Sequence, residues 1–257
     1  MIIITQFKNE EKRLKEWIEH HYWLGFNQFI LYDDNSTDNS IDVIKNLQKN
    51  GINIELYSVY SKSSMLMDRI IESANRGLSI AKNYAKEIPI LFTEVDEFLV
   101  SGKNNYNKNI YDLISKKYLK TNNENIYIPS YDVKPSYDLN KDNITLQETH
   151  RWSEIDRKNK QKCLWATRGK SLTTNKRCPI VYNIHVLHDY DMKTGCGLVY
   201  NKSLLADEWD LRIHHFRLPS LGYNEDHGSG EFFKQFEEND FTLYNITKDR
   251  LNEKTIN

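Results

Sequence analysis

Apolar positions in the first hundred residues alternate between two periods. Ile2-Ile3-Ile4-Thr5-Gln6-Phe7 is a nearly continuous apolar run, the pattern of a strand buried on both faces. Leu14, Trp17, Ile18, His21 and Tyr22 then recur at steps of three and four, which is one face of a helix. Asn9 is placed to cap that helix, Glu10 and Glu11 sit in its first turn, where the helix dipole favours acids, and Gly25 follows as a C′ residue. Phe29-Ile30-Leu31-Tyr32 predicts a second strand, and residues 33–40 a polar loop. Ile41, Ile44 and Leu47 form another helical stripe closed by Gly51, and residues 52–57 a third strand. Met67, Ile70, Ala74, Leu78, Ala81 and Ala85 mark a long helix that Pro89 ends, before a fourth strand at Ile90-Leu91-Phe92.

Strands separated by helices in this rhythm imply an α/β fold, with a mostly parallel sheet flanked by helices and right-handed crossovers. Ligands of such sheets bind beyond the C-terminal strand ends. Two acidic clusters fall there, Asp33-Asp34 after the second strand and Glu94-Val95-Asp96-Glu97 after the fourth. The expectation is that Asp33 and Asp96 open into one cleft. The second half is less regular. A short helix is expected over 111–118, a strand over 126–130, and a terminal helix and tail over 231–257. No linker or internal repeat is visible, so 1–257 reads as one domain with lobes 1–100 and 101–257.

Composition narrows the function. The chain has 257 residues, 35 Lys and Arg against 36 Asp and Glu, and a net charge of −1, which argues against a nucleic-acid binder. Aromatic residues at 12% argue against disorder. Three cysteines without a CxxC pair exclude a zinc ribbon and favour a reducing compartment. The apolar opening is too short for a signal peptide, and no stretch approaches a transmembrane segment, so the expectation is a cytoplasmic protein.

Three groups of residues could carry chemistry. A carboxylate of Asp33 or Asp34 can accept hydrogen bonds from a nucleobase imide or a ribose hydroxyl. The Ser, Thr and Asn residues that follow read better as a turn and helix cap. In Glu94-Val95-Asp96, an extended backbone would point both carboxylates the same way. Two hard oxygen ligands suit Mn²⁺ or Mg²⁺, with diphosphate and water completing the shell. The histidines cluster late, at His185, His188, His214 and His215, and read either as a further metal ligand or as ordinary half-buried residues. Residues 151–180 hold nine basic and two acidic residues, a local +7. Arg168 and Lys170, with Lys176 and Arg177, are either a counter-charge for a phosphate leaving group or a solvated loop.

At this point the sequence resembles a known group. Lys8-Asn9-Glu10-Glu11-Lys12-Arg13-Leu14-Lys15-Glu16-Trp17-Ile18-Glu19-His20-His21, Gly25-Phe26 and Leu31-Tyr32-Asp33-Asp34-Asn35-Ser36-Thr37-Asp38 are similar to the N-terminal signature of GT-A glycosyltransferases of the family 2-like and family 92-like group. Glu94-Val95-Asp96-Glu97-Phe98-Leu99 resembles its Asp-x-Asp motif and the residues after it. His215-Phe216-Arg217-Leu218-Pro219-Ser220 resembles a late His-aromatic-Arg element.

The resemblance implies a GT-A (Rossmann-like) fold with a C-terminal acceptor-side lobe. It also implies a nucleotide-sugar donor, usually a UDP-sugar, a divalent cation (Mn²⁺ or Mg²⁺), and largely inverting transfer to a glycan, lipid-linked or protein acceptor. Asp33 or Asp34 maps to the nucleoside and Asp96 to the metal and diphosphate. Glu94 departs from the motif and points at ribose or water. His215 is the first choice for a histidine near the metal, with His185 and His214 as alternatives. Asp189, Asp191 and Glu225 are candidates for the general base. Two other classes stand beside this reading. A catalytically degenerate protein would bind nucleotide-sugar or carbohydrate without transfer. A nucleotidyltransferase would normally show a Gly-rich basic loop, and residues 5–15 contain no glycine.

Overall fold

The computed structural model describes residues 1–84, 87–102, 110–118, 125–128, 130–134, 151–153, 170–174, 181, 203–206, 210–215 and 237–239. In chain order the elements begin β1 (Ile2–Phe7), α1 (Glu11–Trp23), β2 (Gln28–Asp33), α2 (Ser40–Lys49), β3 (Ile54–Ser58), α3 (Leu66–Ala81), β4 (Pro89–Phe92) and β5 (Glu97–Val100). They continue with α4 (Ile110–Leu113), which runs into a π turn (Ile114–Tyr118), then β6 (Asn125–Ile128), β7 (Ser130–Lys134), β8 (Arg151–Ser153), β9 (Lys170–Thr174), β10 (Ser203–Leu205), β11 (Arg212–His215) and β12 (Glu237–Asn239).

The main sheet has seven strands in the order β10, β6, β9, β4, β1, β2, β3. β1 pairs in parallel with β2 and β4, and β2 with β3. β9 alone runs against its neighbours, between β4 and β6. The chain winds outward from β1 through β2 to β3, then returns to place β4 on the other side of β1. That makes the β1–β4 boundary the topological switch point, where open α/β sheets bind ligands. A second sheet orders β12, β8, β7, β11 and β5. The second half of the chain thus contributes three strands to the main sheet and most of the second one.

The central strands read as unbroken apolar runs because both of their faces are covered. Ile3, Phe29, Leu31 and Leu91 pack on one side with Trp17 and Ile18 of α1 and Ile44 and Leu47 of α2. Ile2, Ile4, Ile30, Tyr32, Ile90 and Phe92 pack on the other with Ala74, Leu78 and Ala81 of α3. α3 presents small residues to β1, and Gly77 is the closest approach. A Cβ built there would lie 2.5 Å from Ile4 Cγ2.

Several local expectations need correction. Asn9 does not cap α1. Its φ is 56°, Glu10 holds the N-cap position, and no side chain of that residue closes the cap. α3 ends at Ala81, short of the expected Ala85, which lies outside the described residues. Glu237–Asn239, inside the expected terminal helix, is a strand antiparallel to β8. Gly25 takes the left-handed conformation expected of a C′ residue, with φ 98°.

The Gly77 contact yields a test. Gly77→Ala should destabilise the fold by roughly 1–3 kcal/mol through overpacking against β1. Thermal unfolding of Gly77→Ala, Ile4→Ala and the double variant should show a double-variant loss smaller than the sum, because one change relieves the other.

Candidate active site

The C-terminal edge of β1, β2 and β4 carries both acidic clusters. At the end of β2 the two aspartates part company. Asp33 Oδ1 accepts the Ser36 N–H at 3.0 Å across a turn in which Asn35 has φ 58°. Asp34 is buried, and its Oδ2 takes Arg69 Nε at 3.1 Å, Arg69 Nη2 at 3.0 Å and Gln6 Nε2 at 3.3 Å. Ser73 of α3 donates to Gln6 Oε1 at 2.9 Å, which extends the network to β1. Asp34 is therefore committed to an ion pair, and Arg69, hidden in the polar positions of α3, is part of the edge.

The rest of the polar loop caps α1 from a distance. Ser36 Oγ accepts the Asn9 N–H at 2.9 Å, Ser40 Oγ the Glu10 N–H at 2.8 Å, and Asp38 Oδ2 the Glu11 N–H at 3.0 Å. Asn9 Oδ1 and Glu11 Oε2 return the bonds to Thr37 N and Asn39 N, each at 2.7 Å. Orphan N–H groups of the helix start are thus satisfied by a loop some 27 residues away in sequence. Burial works to raise the Asp38 carboxyl, but the Ser40 hydroxyl and the Glu11 N–H outweigh it and hold it below its ordinary value.

The acid-x-acid segment is a tight turn, not the extended backbone expected. Glu97 N–H donates to Glu94 O at 3.0 Å. Glu97 Oε2 accepts from Thr93 Oγ1 at 3.1 Å and from Glu94 N at 2.9 Å, and Thr5 Oγ1 donates to Thr93 O at 2.5 Å. Lys170, expected as a counter-charge for phosphate, is enclosed by this turn. Its side chain is 0% exposed, with Nζ 2.8 Å from Glu94 Oε2 and 3.0 Å from Glu97 Oε2. Glu94 is 40% exposed and Glu97 1%. The Lys170 ammonium lowers Glu94 below its ordinary range, burial pushes Glu97 up, and the two carboxylates overcome burial to hold Lys170 firmly charged.

His215 meets Asp96. β11 lies antiparallel to β5 with His215 opposite Glu97, and His215 Nε2 sits 3.2 Å from Asp96 Oδ2. Burial raises the Asp96 carboxyl, but the hydrogen bond and charge of His215 more than reverse this and keep it below its usual value. His214 is buried in the same strand, and its Nε2 accepts from Arg212 Nε at 3.2 Å. Arg13 holds Glu10 through Nε to Oε2 at 2.9 Å and Nη2 to Oε1 at 3.2 Å, and both residues couple electrostatically to Asp96. Burial pushes the Glu10 carboxyl up to about 7; Arg13 opposes the shift and the Asp96 charge adds to it.

α1 also grips the strand that follows the turn. Trp17 Nε1 donates to Glu97 O at 2.8 Å, and His20 Nε2 bonds Leu99 O at 2.8 Å. His21 Nε2 accepts the Leu99 N–H at 3.2 Å, so its proton sits on Nδ1, which donates to Trp17 O at 2.9 Å. Helical periodicity marked Trp17 and His21 as one apolar face and did not reveal these polar anchors.

Asp96 Oδ2 and His215 Nε2 could share a divalent cation in place of their hydrogen bond. Their separation is close to the edge of an octahedron with bonds of ~2.1 Å, which is about 3.0 Å. A hard carboxylate with an imidazole suits Mn²⁺. Among the described residues no group of three or more His, Cys, Asp or Glu could hold a metal. Asp189, Asp191, Glu225, Arg168 and His185 lie outside the described residues. So does most of the +7 stretch. Lys170-Ser171-Leu172-Thr173-Thr174 carried a β-strand signal, an apolar centre among β-branched residues after Gly169, which its basic neighbours obscured.

This sheet, with one reversed strand beside the switch point and an acidic turn after the fourth strand, is that of the GT-A glycosyltransferases. Staphylococcus aureus TarS superposes with a TM-score of 0.51 at 13% identity, over 85% of this chain and 37% of that one. TarS 1-349 in complex with UDP gives 0.50 at 12% identity, over 85% of this chain and 60% of that one. A mannosyltransferase, PcManGT from Pyrobaculum calidifontis, in complex with GDP-Man and Mn²⁺, overlaps less, at 0.38 and 12% identity over 49% and 34% of the two chains. The chain thus spans little more than a third of the length of TarS. No curated protein matches it. The sequence profile of glycosyltransferase family 92 matches residues 3–256, and the chain belongs to that family. Among the described residues no helix is long and apolar enough to cross a membrane.

The Glu10 shift predicts a pH dependence of stability. The unfolded Glu10 ionises near 4.5 and the folded one only near 7, so between these values the native state binds more protons. Stability should fall as pH rises from 4.5 through 7, by on the order of 1–3 kcal/mol, and level off above. Melting curves of the wild type and Glu10→Gln across pH 4–8 should show this decline in the wild type, with the Gln variant lacking that component.

Proposed function

We propose that the chain transfers a sugar from a nucleotide-sugar donor, a UDP-sugar, to an acceptor hydroxyl with inversion, using a divalent cation held by Asp96 and His215. The observation that carries this reading is the Asp96–His215 pair, 3.2 Å apart, at the switch-point edge of a family 92 chain. In the reaction the acceptor oxygen forms a bond to the anomeric carbon as the bond from that carbon to the diphosphate oxygen breaks. The acceptor proton passes to a base, and the nucleoside diphosphate leaves with the bonding electrons. Bound Mn²⁺ or Mg²⁺ would offset the charge that develops on the leaving diphosphate.

The chain's own residues divide the remaining work. A uracil ring presents an imide N–H between two carbonyl oxygens. Asp33 and the Asp34–Arg69 pair offer the complementary set, carboxylate acceptors beside a guanidinium donor. Arg13, close enough to Asp96 to lower its carboxyl, adds positive charge on the diphosphate side. Asp189, Asp191 and Glu225 remain the proposed sources of the base, which would contribute typically ~10² to 10⁴-fold. The acceptor is a glycan, lipid-linked or protein hydroxyl, and the setting cytoplasmic.

Calorimetric titration with UDP tests the reading. Mn²⁺ should strengthen UDP binding to the wild type, and Asp96→Asn, which keeps the shape but loses the charged oxygen, should abolish that enhancement. His215→Ala should weaken Mn²⁺-dependent binding with little change in melting temperature. Equal enhancement in the wild type and Asp96→Asn would refute the assignment.

A further inference from the structure

We infer that Lys170 is a positioning residue for Asp96, acting through the turn that it clamps, and that Glu94 serves this clamp and is not a metal ligand. The inference rests on the metal-dependent reading above. The argument starts from β9. Its register places Leu172 opposite Leu91 and Thr174 opposite Pro89, and continuing it carries Lys170 to the level of Thr93, where β4 has ended and the turn begins. From there the ammonium reaches both ends of the turn, Glu94 at 2.8 Å and Glu97 at 3.0 Å. Asp96 lies between those ends in sequence, and its Oδ2 pairs with His215 Nε2.

Three features separate this arrangement from a generic core ion pair. First, Lys170 is fully buried beside two carboxylates that both belong to the turn, so its ion pairs tie it to that turn. Second, Glu97 uses the same Oε2 for Lys170, the Thr93 hydroxyl and the Glu94 N–H, so a shift of the ammonium moves the turn backbone directly. Third, Glu94 turns toward Lys170 although 40% of its side chain is exposed and could be solvated. Outer partners of this kind set the direction of a metal-binding group, and removing them costs typically ~10–100-fold in metal affinity.

The experiment compares Mn²⁺ affinity in the presence of UDP, read by electron paramagnetic resonance of the free ion, with melting temperature measured without metal. Lys170→Met alone leaves the buried Glu97 carboxylate unpaired and should unfold readily. Lys170→Met with Glu97→Gln removes the two buried charges, leaving only the partly exposed Glu94, and should recover much of the lost stability, yet bind Mn²⁺ ~10–100-fold more weakly than wild type. If stability and Mn²⁺ affinity recover together, the triad is structural only and the inference fails. If neither Lys170 variant folds, Glu94→Ala decides, since it opens the outer arm and leaves the Lys170–Glu97 pair intact. It should weaken Mn²⁺ binding at least ~10-fold with a small change in melting temperature, and Glu94→Gln, which keeps an oxygen for Lys170, should restore most of the loss. Wild-type affinity in Glu94→Ala, or a Gln variant as weak as the Ala variant, overturns the inference. A wild type that binds no Mn²⁺ with UDP would instead overturn the metal-dependent reading itself.

Discussion

A lysine with no solvent exposure must find its counter-charges inside the protein, and Lys170 finds two in one turn. Burying an ammonium costs several kcal/mol, and unpaired it would lose its charge or open the structure. With Glu94 and Glu97 around it, the charge is retained and the turn between β4 and β5 has little freedom. That turn carries Asp96. The antiparallel β9, which delivers Lys170, is also the strand that joins the first half of the main sheet to β6 and β10. One buried cation therefore links the assembly of the sheet to the placement of the candidate metal-binding carboxylate.

Around this point the fold converges on a short stretch of backbone. Thr5 holds Thr93, Trp17 holds the carbonyl of Glu97, and His20 and His21 occupy both polar groups of Leu99. His215 arrives on β11 from the far end of the chain. The start of α1 is itself fixed by the loop after β2, which supplies oxygens to three consecutive N–H groups. A site assembled on strand ends and a helix start is held by backbone pairing, which suits the proposed transfer, where a leaving group and an acceptor must be kept in register.

The acids at this edge show how environment divides one residue type among tasks. Asp34 neutralises Arg69, while Asp33 shapes a turn. Glu97 is buried and bonds the turn backbone. Glu94 reaches inward to Lys170, and Asp96 faces a histidine. Glu10, desolvated beside Arg13 and within the field of Asp96, titrates near neutrality. None of these differences is visible in the letters D and E, because each depends on which partner lies within about 3–4 Å.

Local periodicity by itself determined the order and type of the elements over residues 1–92. Continuous apolar runs made β1, β2 and β4 parallel-sheet strands, and three- and four-residue steps made α1, α2 and α3 helices, because burial on two faces or one leaves those marks in sequence. The location of Asp33 and Asp96 at one sheet edge followed from strand direction alone. The meeting of Asp96 with His215 is a contact across 119 residues, suggested by motif order but placed at 3.2 Å only by the pairing of β11 with β5. The burial of Lys170, the Arg69 pairing of Asp34 and the remote capping of α1 were decided by tertiary structure. A charged side chain carries no sign in sequence of whether water or a distant carboxylate will surround it, since the cost of desolvation is set by the folded neighbours and not by the residue itself.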